Sequence, residues 1–392
     1  MYRTIGAVVL AALVALPAAT ATHTASLSRL APSTAAATQV STITLPNGSR
    51  HTLVTPAGLH VTLYATGLPS ARFMALGPRG DVFVGSWSAG TVSVLLNRSG
   101  GARATRVVTL LSGLTVPHSV AYHDGRLYVA EEGRVTSYRY DPTAVRLSDA
   151  RTVVSSLPTG GRHVTRTIAF GPDGGLYVSV GSSCNECVDA PTRAVIMRYR
   201  ADGSGGQVYA RGLRNAVGLA WQPGARRLWA TDNGEDRLGD NIPPDEVDII
   251  RQGGNYGWPY CYDDGQVDPT VASASGYCAG TINPTVALQA HSAPLGLAFV
   301  TGTLLPAPYR GGLVVAYHGS AYRSHLTGYK VVYIPVSGAR AGQVSGARAG
   351  QPQDLVTGWI TTVWGRPVGV LVATDGGLLI SDDVAGVVYR MA

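Results

Sequence analysis

His163 stands just ahead of the segment TRTIAFGPDGGLYVSVGS and outside any apolar run. An imidazole titrates near neutrality, so a histidine at the end of a strand is a candidate general base. Other polar clusters lie far from it in the chain. They are His118, the pair Arg214-Asn215, the loop Asp232-Asn233-Gly234-Glu235-Asp236, the run His318-Gly319-Ser320, Lys330 and Arg366. Lys330 is the single lysine among 31 basic residues. Cysteines occur at 184, 187, 261 and 278. An even count in an exported chain implies disulfides, and the local pairing Cys184–Cys187 with Cys261–Cys278 is the simplest of three. Val188 follows Cys187, which excludes a c-type haem attachment. The second pair lacks metal-ligand spacing, which counts against a four-cysteine zinc site.

These groups can act together only if the fold brings them together, and an internal repeat supplies the means. Six segments share one pattern, beginning near residues 73, 117, 165, 217, 295 and 367. Each is a short apolar strand, a polar turn and a second strand ending in small or polar residues. Most turns are Asp-Gly or a close variant, which accept the positive φ of a tight hairpin. A hairpin with an apolar face is not stable alone in water. Six of them predict an all-β, six-bladed β-propeller. A β-sandwich needs no sixfold echo, and a parallel β-helix has a shorter period. In a propeller the inner strands surround an axis, and every polar cluster above precedes or follows a repeat strand. A second repeat, SGARAGQVSGARAGQ at 337–351, is polar and Gly-rich and reads as a surface loop.

The rest of the composition bounds the class. Arg3, an apolar run over 5–16 and Ala19-Thr20-Ala21 read as a signal peptide over 1–21, too short for a membrane span. Residues 22–50, rich in Ala, Ser and Thr, read as a flexible leader, and 51–392 as the propeller domain. The charge is +7, with the arginines scattered singly rather than in a stripe, which argues against a nucleic-acid partner. Gly is abundant at 49 residues and hydrophobic residues reach 45%, as suits strands joined by tight turns.

The stretch ARGLRNAVGLAWQPGARRLWATDNGEDRLGDNIPPDEVDIIRQGGNYGWPYC, residues 210–261, resembles the corresponding part of the pyrroloquinoline-quinone-dependent sugar dehydrogenases. RHVTRTIAFGPDGGLYVSVGSSCNEC, HGSAYRSHLTGYKVVYIPV and VWGRPVGVLVATDGGLLISDD resemble the L-sorbosone and pyranose dehydrogenase branch of that family. The similarity runs through nearly all of the chain after residue 55, and the family fold is a six-bladed propeller. The resemblance implies a quinone cofactor with calcium, a sugar substrate and an external electron acceptor. It implies that His163, eight residues before the Gly-Pro-Asp turn, is the general base. Arg214 and Asn215 match the pair that faces the quinone carbonyls, and Arg214 would stabilise the developing negative charge. Gly234 and Glu235 match main-chain carbonyl ligands of calcium, a hard cation that prefers oxygen. Lys330 and Arg366 match partners of the cofactor's carboxylates. Trp364 takes the place of a second basic residue and offers a face for stacking, and His118 matches a polar residue near the quinone. The Cys184–Cys187 motif is shared with this branch and reads as a disulfide that stiffens a loop.

Two other readings remain open. A metal-dependent lactonase on a similar scaffold would use side-chain ligands, which only the 232–236 loop and Asp245-Glu246 offer. A non-catalytic propeller would bind protein or glycan and would tolerate loss of His163 or Arg214.

Overall fold

The computed structural model describes Met1 and residues 37–273, 275–338 and 347–392. The expected signal peptide and the first part of the expected leader lie outside the described residues. Residues 37–392 form one compact unit.

Six antiparallel sheets of four strands follow one another along the chain, the third extended by the short strand Gly254–Asn255, which pairs parallel with Gln207–Arg211. Their innermost strands are Ala71–Leu76, Ser119–His123, Ile168–Phe170, Ala216–Trp221, Pro294–Phe299 and Pro367–Val372. Each of the six predicted hairpins is the inner strand and second strand of one blade. The third and fourth strands lie progressively further from the axis. The sixth blade takes its outermost strand from the other end of the domain: Val61–Thr66 pairs antiparallel with Val387–Met391. This pairing closes the ring between the beginning and the end of the propeller.

The second strands explain why the sequence reads as continuously apolar rather than alternating. Leu176–Val180, Leu228–Asp232 and Leu313–Tyr317 are buried at every residue. Both faces of each blade are covered, as in any sheet sandwiched between layers. Leu127 and Val129 pack towards the first blade with Phe83 and Val94, whereas Tyr128 and Ala130 pack towards the third with Ile168 and Leu176. An apolar cluster of this kind fills each of the six junctions between neighbouring blades.

Near the axis the packing is closer. The inner strands of the first, fourth, fifth and sixth blades each carry a register shift. Phe73, Val217, Leu295 and Val368 from these strands meet in one cluster. Hydroxyl groups stitch the strands together. Thr231 Oγ1 accepts the Gly218 N–H at 2.8 Å and donates to Leu295 O of the next blade at 2.8 Å. Ser381 Oγ does the same between the Gly369 N–H at 2.8 Å and Arg72 O at 2.5 Å.

Two expectations need correction. The leader does not run to residue 50, because Thr38–Thr44 pairs with Arg50–Pro56 in a hairpin. Ile43 and Leu53 are buried and join the cluster between the fifth and sixth blades, so the alternation in TQVSTIT has a core to face. The SGARAGQ repeat also has some strand character, since Val336–Ser337 pairs with Arg348–Ala349. Residues 339–346 lie outside the described set. Both cysteine pairs are the local ones, Cys184–Cys187 and Cys261–Cys278.

The axial stitching gives a direct test. A Cβ on Gly218 would lie 2.2 Å from Leu295 O. Gly218→Ala should therefore cost roughly 1–3 kcal/mol through overpacking, read as a lower denaturant midpoint. An unchanged midpoint would mean that the close approach of inner strands is not a constraint.

Candidate active site

At one end of the axis the first strand of each blade begins and the second strand ends. The residues at these positions build a cavity of about 270 Å³. His163 and Arg162 come from the approach to the third blade, Arg214 and Asn215 from the start of the fourth, and Asn233, Gly234, Asp236 and Asp245 from the loop after its second strand. His291 and Ala293 precede the fifth blade, Gly319 to Tyr322 follow its second strand, and Arg366 precedes the sixth. Local hydrogen bonds hold the entries to the inner strands. Asp232 Oδ1 accepts the Asn215 N–H at 2.6 Å, and Asp382 Oδ1 accepts the Arg366 N–H at 2.9 Å. The last residue of a second strand thus anchors the residue that leads into its own inner strand.

His163 is half-buried. Its Nδ1 lies 3.0 Å from Ser182 O and 2.9 Å from Ser182 Oγ. A carbonyl only accepts, so Nδ1 carries the proton and Nε2 the lone pair. Nε2 has no hydrogen-bond partner among the described residues. Arg166, fully buried, donates Nη1 to His163 O at 2.9 Å and fixes the backbone beneath the ring. Burial, and then the Arg214 guanidinium, push the imidazole down to about 3. His163 is accordingly neutral across the physiological range, the state a proton acceptor needs. Gly181 makes room for it, because a Cβ there would lie 2.6 Å from His163 Cβ and 2.7 Å from Asn215 Oδ1.

Arg214 is 4% exposed, and its N–H groups are largely spent on protein. Nε donates to Asn185 O at 2.9 Å, Nη2 to Asn185 Oδ1 at 2.7 Å, and Nη1 to Asn233 O and Gly234 O at 3.1 and 2.8 Å. The charge therefore faces the cavity as a field more than as a free donor, which narrows the role expected from the sequence. The Asn215 amide side chain, by contrast, has no partner among the described residues. Arg366 donates to His318 O at 2.9 Å and Gly319 O at 2.5 Å and lies over the Tyr329 ring. Its Nη1 has no hydrogen-bond partner among the described residues. Arg162 pairs with Asp236 at 2.6 Å and lies over Tyr322.

Three assigned residues are not brought to the cavity. Lys330 opens the third strand of the fifth blade and pairs with Asp354 on the outermost strand at 2.6 Å. Two strand spacings of about 4.8 Å each separate that position from the inner strand. Its blade sends Gly319, Ser320 and their neighbours to the cavity instead. Trp364 stacks on His51 of the unforeseen hairpin, with ring centroids 4.3 Å apart, and donates its N–H to Gly358 O. His118 is fully buried, accepts from Arg72 Nε at 3.2 Å, and is held neutral by burial and then by Arg72.

Of Gly234 and Glu235, Gly234 lines the cavity and Glu235 does not. Gly234 O is shared with Arg214, as described. The Glu235 side chain turns away into an enclosed space of about 30 Å³ that also borders Asp268 and Glu246. Burial, and then its hydrogen bond with Asp268, push the Glu235 carboxyl up to about 8.

Sequence reasoning missed Ser182, Asp383 and Arg72, and named Asp245 only as a metal ligand of the lactonase reading. Asp245 accepts the Gly234 and Ala293 N–H groups, each at 2.9 Å. Asp383 joins Arg72 at 2.8 Å to His318 at 3.0 Å. A signal was present: Asn233, His318 and Asp383 each stand one residue beyond a second strand. Among the described residues, the one grouping of three side chains spaced to ligate a metal is Cys184, Cys187 and Asp189, whose sulfurs are bonded to each other.

Fold and cavity together define a six-bladed propeller with a basic, histidine-bearing axial mouth. The TrAA12-like family profile matches residues 53–392, and the chain belongs to that family. The pyrroloquinoline quinone-dependent pyranose dehydrogenase of Coprinopsis cinerea is 27% identical over 401 residues, covering 85% of this chain and 53% of that protein. The chain thus spans about half the length of that relative. The holo pyrroloquinoline quinone domain of the Coprinopsis cinerea pyranose dehydrogenase superposes with a TM-score of 0.76 at 23% identity, over 90% of this chain and 100% of that one. A calcium structure of the Trichoderma reesei family AA12 enzyme superposes with a TM-score of 0.74 at 23% identity, over 87% and 96%. No helix among the described residues is long and apolar enough to cross a membrane.

The depressed His163 pKa has a consequence for stability. The unfolded imidazole takes up a proton as pH falls through about 6.5, while the folded one does so only near 3. Its contribution to stability is complete above pH 6.5 and is lost progressively down to pH 3. His163→Gln should flatten the dependence of the denaturant midpoint on pH in that window. A slope equal to that of the unsubstituted protein would contradict the assignment.

Proposed function

We propose that this protein is an exported, pyrroloquinoline quinone- and calcium-dependent dehydrogenase that oxidises a sugar and passes the electrons to an external acceptor. The observation that carries this reading is the His163 ring, neutral, tied through Nδ1 and open at Nε2, in a cavity whose charges are mainly arginine. Family membership and the named activities of the relatives support it.

The donor set fits the cofactor. A flat polyanion with several carboxylates suits a cavity lined by Arg162, Arg366 and Arg214, and the Asn215 amide is free to meet a carbonyl oxygen. Calcium would sit against the main-chain carbonyls near Gly234 and Glu235, where oxygen ligands suit it. When bound, the quinone supplies a two-electron acceptor for the hydrogen that leaves the sugar carbon.

The chain's own residues do the rest. His163 Nε2 takes the proton of the sugar hydroxyl as the adjacent C–H bond breaks, so that charge does not build on the sugar oxygen. Nδ1 keeps its proton throughout, held by Ser182. Arg214 places a fixed cation beside the oxygens that gain negative charge.

The test is titration of apo-protein with pyrroloquinoline quinone and calcium, followed by dye reduction with a panel of aldoses and related aldehydes. Saturable binding and turnover of at least one sugar are expected; failure of both under every metal condition would refute the proposal. Arg366→Ala, which removes one charge-assisted contact worth about 1.5–3 kcal/mol, should weaken quinone affinity roughly ten- to a hundredfold. Lys330→Ala should leave that affinity unchanged. The opposite pattern would restore the role first assigned to the lysine.

A further inference from the structure

The loop closed by Cys184–Cys187 touches three parts of the site that come from two blades. Ser182, two residues before it, is fully buried. Its hydroxyl lies 2.8 Å from Cys184 O and 2.9 Å from His163 Nδ1. A hydroxyl has one proton, and the Cys184 carbonyl can only accept it. The oxygen therefore presents a lone pair to Nδ1, as does Ser182 O at 3.0 Å. Two acceptors at one ring nitrogen leave the proton on Nδ1 and the lone pair on Nε2.

Asn185, inside the loop and 9% exposed, faces the other way. Its main-chain and side-chain oxygens accept from Arg214 Nε and Nη2 at 2.9 and 2.7 Å. The same Oδ1 accepts the Asp236 N–H at 3.0 Å, and Nδ2 donates to Asp236 O at 2.9 Å. One four-residue turn thus holds a histidine, an arginine and the acidic loop in fixed relation. The disulfide spans only three positions in sequence. A loop that short constrains the unfolded chain less than the seventeen-residue separation of Cys261–Cys278 does. What it fixes best is the local curvature that aims Cys184 O at Ser182 and Asn185 at Arg214.

We propose that the Cys184–Cys187 loop is a positioning device for the reacting groups, in which Ser182 holds His163 as the Nδ1–H tautomer and Asn185 locks Arg214 to the 232–236 loop. This deepens the reading of His163 as the base and rests on it. With the disulfide opened, Cys184 O is free to leave. The Ser182 hydroxyl then gains the freedom to donate to Nδ1, which favours the tautomer whose Nε2 already carries a proton and cannot accept another.

The experiment uses the full chain and three variants: Ser182→Ala, Asn185→Ala and the double change Cys184→Ser, Cys187→Ser. Nitrogen-15 NMR of His163 in the cofactor-free protein should show Nδ1 protonated and Nε2 unprotonated in the parent. Ser182→Ala keeps the main-chain carbonyl at Nδ1 and loses the second acceptor, so the Nε2–H tautomer should become detectable there, and more of it should form in the double variant, whose hydroxyl can donate; Asn185→Ala keeps the parent spectrum. In holoenzyme each variant should lose about ten- to a hundredfold in kcat, the range for removing a partner that orients a reacting group, with the KM for sugar and the thermal midpoint little changed. A parent spectrum with Nε2 protonated would overturn the proposal. So would parental kcat and parental spectrum in Ser182→Ala, which retains the disulfide and decides the matter if the double variant does not fold. A parent that turns over no sugar would remove the functional reading and leave the tautomer result standing by itself.

Discussion

Burial on both faces is the condition that every blade must satisfy, and the rest of the molecule follows from it. A strand such as LYVSV has no polar side to turn to water, so each blade needs a neighbour on either flank. Only a closed ring gives all six blades two neighbours. Closure is completed by Val61–Thr66 pairing with the last strand. The inner strands then crowd the axis, where the Thr231 and Ser381 hydroxyls and the narrow Gly218 and Gly369 let neighbouring backbones approach. The convergence of His163, Arg214 and Arg366 on one cavity is a by-product of that crowding.

The electrostatics of the mouth follow from the same geometry. Arginines enter from several blades, and their fields add at the mouth. Histidines caught among them are held neutral: His163 near 3 and His318 near 4, each through burial first. A cavity that is basic yet contains an uncharged imidazole can attract an anionic cofactor while keeping a base ready for a proton. Supplying both from one kind of residue would not work, since a protonated histidine cannot accept and an arginine does not deprotonate.

The parts legible in the sequence were those written in repetition. The hairpins announced the blades, and His163, Arg214, Asn215 and Arg366 meet at one cavity because each leads into an inner strand. Lys330, assigned through the resemblance, lies by register on the third strand, facing Asp354. Trp364 is covered by a hairpin whose first strand, Thr38–Thr44, lay in a segment read as flexible, where Ile43 gave too weak an alternation to stand out. Ser182 and Asn185 were hidden inside a motif whose cysteines explained it too readily. Their roles depend on hydrogen-bond direction, which residue type alone does not specify.

The measurement that bears most directly on the account is the reductive half-reaction of His163→Gln, followed in a single turnover with a sugar deuterated at the reacting carbon. The account predicts quinone binding like that of the parent, a step slowed by about a hundredfold or more as befits loss of a general base, and a parental rate that is sensitive to the deuterium. A His163→Gln protein that reduces its cofactor at the parental rate would show that the imidazole at the mouth of the propeller is not the base, and the central claim would fall.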